Sequence, residues 1–212
     1  MKVKLASLPK GILTIALVAL LFALAPAAFA ADPVAGTDYD VIQPPVPRLA
    51  DRPEIVEIFN FKCPHCRDLH PTMVEWAKSR ADRYLVSAMP IHWGEQTDLP
   101  ARAFFAAGFM GKGEEMRQAI FAAHFDRQAD IENMADLLFL VEDLGLDQKK
   151  FSAAMESFGV TAKATQAMTL AKAFGVTGTP LLVVNGKYRV SLTHAKGDPK
   201  RLVAIADFLA TR

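Results

Sequence analysis

The sequence has 212 residues, a formal net charge of +1 and a hydrophobic content of 51 %. This length is enough for one domain with a real core, with room for an insertion. The balanced charge argues against a nucleic-acid-binding protein and against a strongly acidic partner.

Residues 1–30 have the pattern of an export signal. An almost uninterrupted apolar run from Gly11 to Ala25 follows a basic start, and Ala28-Phe29-Ala30 supplies a small-x-small cleavage pattern. A membrane anchor is the alternative, but the apolar run is shorter than the ~20 residues that span a bilayer. We predict a signal peptide that is cleaved after Ala30. Its removal takes three lysines and no acidic residue from the chain, so the net charge falls from +1 to −2.

A proline-rich lead-in precedes the first buried strand. Between Asp32 and Pro53, an alternating patch around Tyr39 and Val41 indicates one short edge strand. The run from Ile55 to Phe61 is apolar, of strand length and rich in Ile, Val and Phe. It predicts a buried central strand.

A helix and a second strand follow. Pro64 suits the first position of a helix, where its missing N–H is not needed, and the helical pattern fades near Ala81. Residues Tyr84 to His92 predict the second strand. A strand–helix–strand unit of this kind makes its two strands parallel.

The middle of the chain is predicted to be helical, and strand signals return after it. From Leu99 to Phe174 the sequence is rich in Ala, Met, Leu and Phe, and glycines divide it into four or five helices. Leu181–Val184 and Lys187–Val190 then flank Asn185-Gly186, the strongest short hairpin signal.

The chain closes with an amphipathic helix from Pro199 to Leu209. The order is therefore strand, helix, strand, helical block, hairpin, helix. This order predicts an α/β, thioredoxin-like fold with an inserted all-helical domain. We assign residues 31–96 and 176–212 to the thioredoxin-like domain and residues 97–175 to the insertion.

The two cysteines of the chain, Cys63 and Cys66, lie at the predicted start of the first helix. A disulfide between them closes almost no loop, so it adds little stability, because the chain entropy that a disulfide removes grows with loop length. Residues three apart at a helix start can reach disulfide geometry. Since an export signal implies a compartment where disulfides persist, redox chemistry is the expected role of the pair.

The helix start favours a thiolate at Cys63. At the N-cap its sulfur meets free backbone N–H groups and the positive end of the helix dipole, which lowers the pKa of a cysteine. His65 adds a donor to the same turn. Stabilising the reduced form makes the disulfide a stronger oxidant. We expect substrates to attack Cys63, with Cys66 less accessible.

Metal and haem sites are the competing interpretations of this pair. A zinc site could use Cys63, Cys66 and His70, but a fourth ligand of matching spacing is missing. Covalent haem attachment needs a histidine directly after the second cysteine, and Arg67 stands there. We expect no metal and no cofactor other than the redox-active disulfide.

Three segments carry a specific family likeness. They are Phe-Lys-Cys-Pro-His-Cys at 61–66, Gly-Thr-Pro at 178–180 and Val-Val-Asn-Gly-Lys-Tyr at 183–188. With them, the chain closely resembles the DsbA family of bacterial periplasmic thiol:disulfide oxidoreductases over essentially the whole mature chain. The resemblance implies a monomer in the periplasm that acts on reduced, unfolded secretory polypeptides. It also implies a DsbB-like, quinone-linked membrane oxidase that recharges the disulfide.

The resemblance also implies roles for residues near the cysteines. Pro64 and His65 belong to the catalytic motif, Pro180 is a cis-proline facing the cysteines, and the Thr179 backbone binds an extended substrate. A trans proline that begins an edge strand is the alternative for Pro180. Glu57 matches the family's acidic residue six positions before the first cysteine, which is thought to ease proton movement at the buried thiol.

The residues around Glu57 give its position a physical basis. Alternation places it on the apolar face of its strand, with Ile55, Phe59 and Phe61, where a carboxylate is costly unless protonated or paired. The basic companion that relatives have does not stand out, and a salt-bridged glutamate near the strand surface is the alternative. We expect the other histidines to be structural or surface residues: His70, His92, His124 and His194.

We therefore predict a protein disulfide oxidoreductase that donates a disulfide to reduced, unfolded exported proteins. Two alternatives stay open at this point. A disulfide isomerase or reductant is one, because Thr179 before the proline also occurs in isomerase-like relatives. A redox-inactive chaperone that binds peptides in the groove around Pro180 is the other.

Overall fold

The computed structural model describes residues 32–48 and 50–212, and within them five strands form one mixed sheet. The strands are β1 (Asp40–Val41), β2 (Glu54–Phe59), β3 (Leu85–Pro90), β4 (Leu181–Val184) and β5 (Tyr188–Ser191). Their order across the sheet is β1-β5-β4-β2-β3. Strand β2 is parallel to β3 and antiparallel to β4, and every residue of it is buried, as predicted for a central strand.

Seven helices accompany this sheet in the described part of the chain. They are α1 (Pro64–Ser79), α2 (Leu99–Phe109), α3 (Gly113–Asp126), α4 (Met134–Asp143), α5 (Gln148–Met155), α6 (Phe158–Ala173) and α7 (Pro199–Ala210). Helix α1 connects the parallel strands β2 and β3, and α2 to α6 form the helical block between β3 and β4. The predicted element order is confirmed. The residue limits of the two domains stay a prediction.

Local sequence signals determine the hairpin and the edge of the sheet. Asn185 and Gly186 have φ angles of 54° and 65°, so both adopt the left-handed conformation that a two-residue hairpin turn needs. Strand β5 pairs on its other side with β1, through Asp40 opposite Arg189 and Val41 opposite Tyr188. The short edge strand predicted around Val41 is therefore present.

The two faces of the sheet are covered by different helices. Ile55 packs with Leu69 of α1 and Leu202 of α7, whereas its neighbour Val56 packs with Ala171 of α6. Successive residues of a strand point to opposite faces, so a strand that is apolar at every position must be covered on both sides. The continuous apolar run of β2 reflects this arrangement.

A third apolar cluster begins where β2 ends and extends into the helical block. Phe59 and Phe61 pack there with Ile120 of α3 and Phe151 of α5. Cys66 belongs to the same cluster. The core of the helical block therefore lies directly beside the cysteine pair.

Residues Pro33–Arg212 form one compact unit. Among the residues that the structure describes, no helix has the length and apolar character to cross a bilayer. The predicted signal peptide at residues 1–30, with its cleavage point after Ala30, lies outside the described residues.

Candidate active site

Cys63 occupies the N-cap of α1, as predicted. Its backbone is extended, with φ −93° and ψ 115°, and Pro64 follows at the first helical position. The Cys63 carbonyl accepts the N–H groups of Cys66 at 3.1 Å and Arg67 at 3.2 Å. The Cys63 N–H donates to the Asn60 carbonyl at 3.1 Å, so the end of β2 fixes the start of the helix.

The surroundings of Cys63 favour its thiolate. A hydrogen bond from the Cys66 thiol is the largest cause that lowers the Cys63 pKa, from 9.0 to about 6, against an opposing effect of burial. Thr179 and the backbone N–H groups of Cys66 and His65 lower it further. At pH 7 a thiol with this pKa is about nine-tenths ionised, compared with about one per cent for a pKa of 9.

Cys66 has the opposite character. Its side chain is fully buried, and both cysteines are free thiols in this structure. Burial raises the pKa of Cys66 well above the ordinary 9.0, and the neighbouring Cys63 raises it further. The pair therefore combines one half-buried, ionised sulfur with one buried, protonated sulfur.

The loop before β4 meets the cysteines, as predicted. The peptide bond between Thr179 and Pro180 is cis, and the Thr179 carbonyl oxygen lies 3.4 Å from the Cys63 sulfur. An open groove of about 540 Å³ runs along this loop. The exposed His65 and Thr177 line it, together with the partly buried Thr179 and Leu192 and the buried Pro180. The structure thus brings His65, Thr179 and Pro180 together beside Cys63.

Glu57 lies on a buried face, as the alternation predicts, and it has a basic companion that the sequence analysis did not find. The two guanidinium Nη atoms of Arg117, on α3, donate to the two carboxylate oxygens of Glu57 at 2.8 Å and 2.5 Å. The side chains of Arg117 and Glu57 are only 2 % and 3 % exposed. The guanidinium also lies 3.9 Å from the centre of the Phe59 ring. The alternative of a glutamate near the surface is wrong, because this ion pair is in the core.

One signal in the sequence could have revealed Arg117. It precedes Ile120 and Phe121 by three and four positions, which places a charge on the apolar stripe of α3. A long charged side chain is almost never fully buried unless it is paired. A search for carboxylates on buried faces would then have led to Glu57.

His70 is a second buried polar residue near the cysteines. It lies one turn after Cys66 on α1, is 8 % exposed, and its Nε2 atom is 3.1 Å from a carboxylate oxygen of Glu114 on α3. Burial is the main cause that lowers the His70 pKa from 6.5 to about 4, and the charge of Arg117 adds to it. The expectation of a structural role for His70 fits its burial but does not explain its environment.

The described residues contain no group of three or more His, Cys, Asp or Glu side chains that could hold a metal ion. Cys63, Cys66 and His70 therefore do not form the zinc site considered from the sequence. What the arrangement can do chemically is exchange thiols and disulfides at Cys63.

Comparison with known proteins agrees with this chemistry. Residues 86–199 match a family model described as DSBA-like thioredoxin domain. The thiol:disulfide interchange protein DsbA of Pseudomonas aeruginosa is 36 % identical over 188 residues, which cover 86 % of this chain and 87 % of that protein. The DsbA of Burkholderia cepacia is 31 % identical over 182 residues, with 84 % and 85 % covered.

Solved structures show the same likeness. The crystal structure of Pseudomonas aeruginosa DsbA is similar with a TM-score of 0.78 at 30 % identity, over 84 % of this chain and 93 % of that one. The oxidoreductase DsbA from Xylella fastidiosa gives a TM-score of 0.76 at 30 % identity, over 85 % and 97 %. These matches confirm the thioredoxin-like α/β fold. On its sequence, fold and cysteine site, the chain belongs to the family of DsbA proteins with a DSBA-like thioredoxin domain.

Proposed function

We propose that this chain is a thiol:disulfide oxidoreductase that donates the Cys63–Cys66 disulfide to reduced, unfolded exported proteins. The observation that carries the proposal is the unequal pair of sulfurs. Cys63 is half-buried with a lowered pKa, and Cys66 is fully buried with a raised one. A substrate can therefore reach one sulfur, and that sulfur is the better leaving group.

The reaction proceeds by two thiol–disulfide exchanges. A substrate thiolate attacks the Cys63 sulfur, the Cys63–Cys66 bond breaks, and its electron pair goes to Cys66, which takes up a proton. A second substrate thiolate then attacks the substrate sulfur of the mixed disulfide, and Cys63 leaves as a thiolate. The substrate ends with a disulfide and the enzyme with two reduced cysteines.

The direction of transfer follows from the thiolate. Every interaction that lowers the Cys63 pKa stabilises the reduced form relative to the disulfide. A disulfide whose reduced form is stabilised is a stronger oxidant, so it passes its bond to substrate thiols. This argument favours donation of disulfides over their reduction.

The neighbouring residues have supporting roles in this proposal. Pro64 begins the helix without needing a backbone donor, and His65 contributes its N–H to the Cys63 sulfur. Thr179 and Pro180 present backbone groups to an extended substrate segment beside Cys63. Glu57 assists proton movement at the buried thiol.

Location and partners complete the proposal. The signal peptide directs the chain to the periplasm and is removed by cleavage after Ala30. The mature chain acts there as a monomer. A DsbB-like, quinone-linked membrane oxidase reoxidises the reduced pair. The disulfide is the only redox group the reaction requires.

A redox equilibrium against glutathione, together with the Cys63→Ser variant, tests the function. We expect a reduction potential nearer to the DsbA reference value of about −120 mV than to the thioredoxin value of about −270 mV. We also expect Cys63→Ser to abolish the oxidation of a reduced, unfolded substrate protein. A reduction potential near that of thioredoxin would favour the alternative of a reductant. The alternative of a chaperone would be favoured if the wild-type chain had no oxidase activity and Cys63→Ser still suppressed the aggregation of the substrate protein.

A further inference from the structure

Cys66 must exchange a proton in every catalytic cycle although its sulfur has no exposed surface. Its raised pKa keeps it a thiol, yet it has to be a thiolate both when it leaves Cys63 and when it attacks Cys63 again. Solvent cannot accept or supply that proton directly. The protein must therefore provide groups that carry it.

His70 is placed to be the first of these groups. It follows Cys66 by four positions on α1, and residues at this spacing share one helix face with Cβ atoms about 5–6 Å apart. The His70 ring lies 5.7 Å from the ring of Phe121, which packs in the same apolar cluster as Cys66. No other ionisable side chain of α1 is buried on this face with Cys66.

The hydrogen bonding of His70 leaves one ring nitrogen unused. Its lowered pKa makes the ring neutral at physiological pH, so one nitrogen carries a hydrogen and the other a lone pair. We assign the hydrogen to Nε2, because this nitrogen lies 3.1 Å from a carboxylate oxygen of Glu114. Nδ1 is then a buried acceptor, and it has no hydrogen-bond partner. A buried polar atom without a partner costs about 1–3 kcal/mol, so its retention calls for an explanation.

The charges around His70 disfavour a doubly protonated, positive ring, so His70 is suited to pass a proton on and not to keep it. Arg117 opposes a positive imidazole ring, and Glu57, which could compensate, already binds Arg117 through both oxygens. Glu114 is different: burial is the main cause that raises its pKa, with Glu57 and Glu115 adding to it, while its side chain is 48 % exposed. It can accept a proton and release it to water.

We propose that His70 and Glu114 carry the proton of Cys66 between the core and solvent, and that Glu57 assists by holding Arg117 near His70, without taking the proton itself. In the resting reduced form the Cys66 thiol donates to Cys63 and makes no hydrogen bond to Nδ1 of His70, so it must first turn towards that nitrogen. It then gives its proton to Nδ1, and the Nε2 hydrogen passes to the Glu114 carboxylate, so the ring changes tautomer without gaining net charge. The Cys66 thiolate attacks Cys63 in a mixed disulfide, the Cys63–substrate bond breaks, and the substrate sulfur takes the electron pair. In the donating direction the proton returns along the same path.

This inference rests on the proposed function, and oxidation of the reduced chain by glutathione disulfide separates the two. Rapid mixing resolves the attack of Cys63 from the later attack of Cys66 on the Cys63–glutathione bond, and mass spectrometry identifies the intermediate. In His70→Gln and Glu114→Gln we expect the second step to slow about tenfold or more, with accumulated intermediate and an unchanged first step. The Cys63 pKa, followed by thiolate absorbance, should stay near the wild-type value.

The pH profile and a matched control distinguish proton transfer from a structural role. In the wild-type chain the second step should slow as falling pH protonates Glu114, and Glu114→Gln should lose this dependence. Glu115→Gln removes the neighbouring exposed carboxylate, which bonds to Lys112. Because Glu115 is the smallest of the causes that raise the Glu114 pKa, this variant should keep the wild-type rate at neutral pH and retain the pH dependence. A second step within twofold of wild type in both His70→Gln and Glu114→Gln would overturn the inference.

Glu57→Gln compares the two candidate proton routes directly. If this variant slows the second step and Glu114→Gln does not, Glu57 carries the proton and the His70 route is wrong. Failure of the proposed function has a different signature. In that case the wild-type chain would not form the Cys63–glutathione intermediate at all.

Discussion

At the scale of single residues, the pair formed by Glu57 and Arg117 shows what a sequence can and cannot reveal. Alternation along one strand is a local pattern, and it places Glu57 on a buried face. Its partner lies 60 positions away, on a helix of the inserted block, and only the folded chain brings them together. A buried ion pair adds little net stability over an apolar pair, but removing one partner leaves a charge uncompensated.

Arg117→Met should therefore be strongly destabilising. The methionine fills part of the space, but the Glu57 carboxylate stays buried without its two donors. We expect a loss of about 3–5 kcal/mol in the free energy of unfolding, measured by urea denaturation of the reduced chain.

The exposed ion pair between Arg67 and Asp126 provides the control for this prediction. Its side chains are 41 % and 50 % exposed, so Arg67→Ala should cost about 1 kcal/mol or less. Equal losses in Arg67→Ala and Arg117→Met would contradict the argument from burial.

The residues of the active site could be predicted from the sequence to different degrees. Cys63, Cys66 and the position of His65 follow from one short motif at a helix start, and the placement of Pro180 followed from family likeness. His70 was not singled out as part of the site. Its partner Glu114 lies on another helix, and the burial of a histidine cannot be known before the helices are packed.

At the scale of the elements, the clearest predictions came from local stereochemistry. The hairpin between β4 and β5 is fixed by Asn185-Gly186, where both residues need positive φ. The start of α1 is fixed by Pro64. The ends of β2 and α1 each differ from prediction by two residues, at Phe59 and Ser79, because neighbouring elements, not local pattern, decide where pairing stops.

Gly186→Ala should disrupt this hairpin. A Cβ atom there would clash with the backbone oxygen of Val46, whose N–H donates to the Gly186 carbonyl at 2.9 Å, and φ is 65°. The lead-in segment must then move away. We expect a loss of about 2 kcal/mol or more in unfolding free energy, measured by chemical denaturation.

Gly197→Ala is the matched control for the hairpin variant. Gly197 has a φ of 79° but nothing within 4 Å of an added Cβ, so only backbone strain opposes the alanine. Its loss should be about 1 kcal/mol. If the two alanine variants lose the same stability, the contact with Val46 is unimportant.

At the scale of the whole molecule, the sulfur chemistry should appear in folding stability. Between pH 6 and pH 9 the unfolded reduced chain retains the Cys63 proton that the native chain has released. The unfolded state then binds more protons, so the stability of the reduced form rises with pH in this window and is lost as pH falls through about 6. Cys66 has the opposite sign but acts only above its ordinary pKa of 9.0.

We therefore expect the free energy of unfolding of the reduced chain to rise from pH 6 to pH 8 relative to that of the oxidised chain, which widens the gap between the two. Urea unfolding of both redox forms at several pH values measures it. The lowered pKa of His70 also makes stability rise with pH, between about 4 and 6.5, but this occurs in both redox forms and cancels in the comparison. A gap that is constant with pH, or that closes, would show that Cys63 titrates like a free thiol.

The position of Arg117 has one more consequence, for attempts to shorten the chain. A minimal version that joined Pro90 directly to the hairpin would discard the helix that holds the only cation bonded to Glu57 in the described structure. The shortened chain would leave Glu57 without its cation, and it would also lose α6, against which Val56 packs on the other face of the sheet. Replacing Glu57 with leucine in the same truncation would remove only the first of these two obstacles, so the native sheet depends on the helical block for both charge compensation and burial.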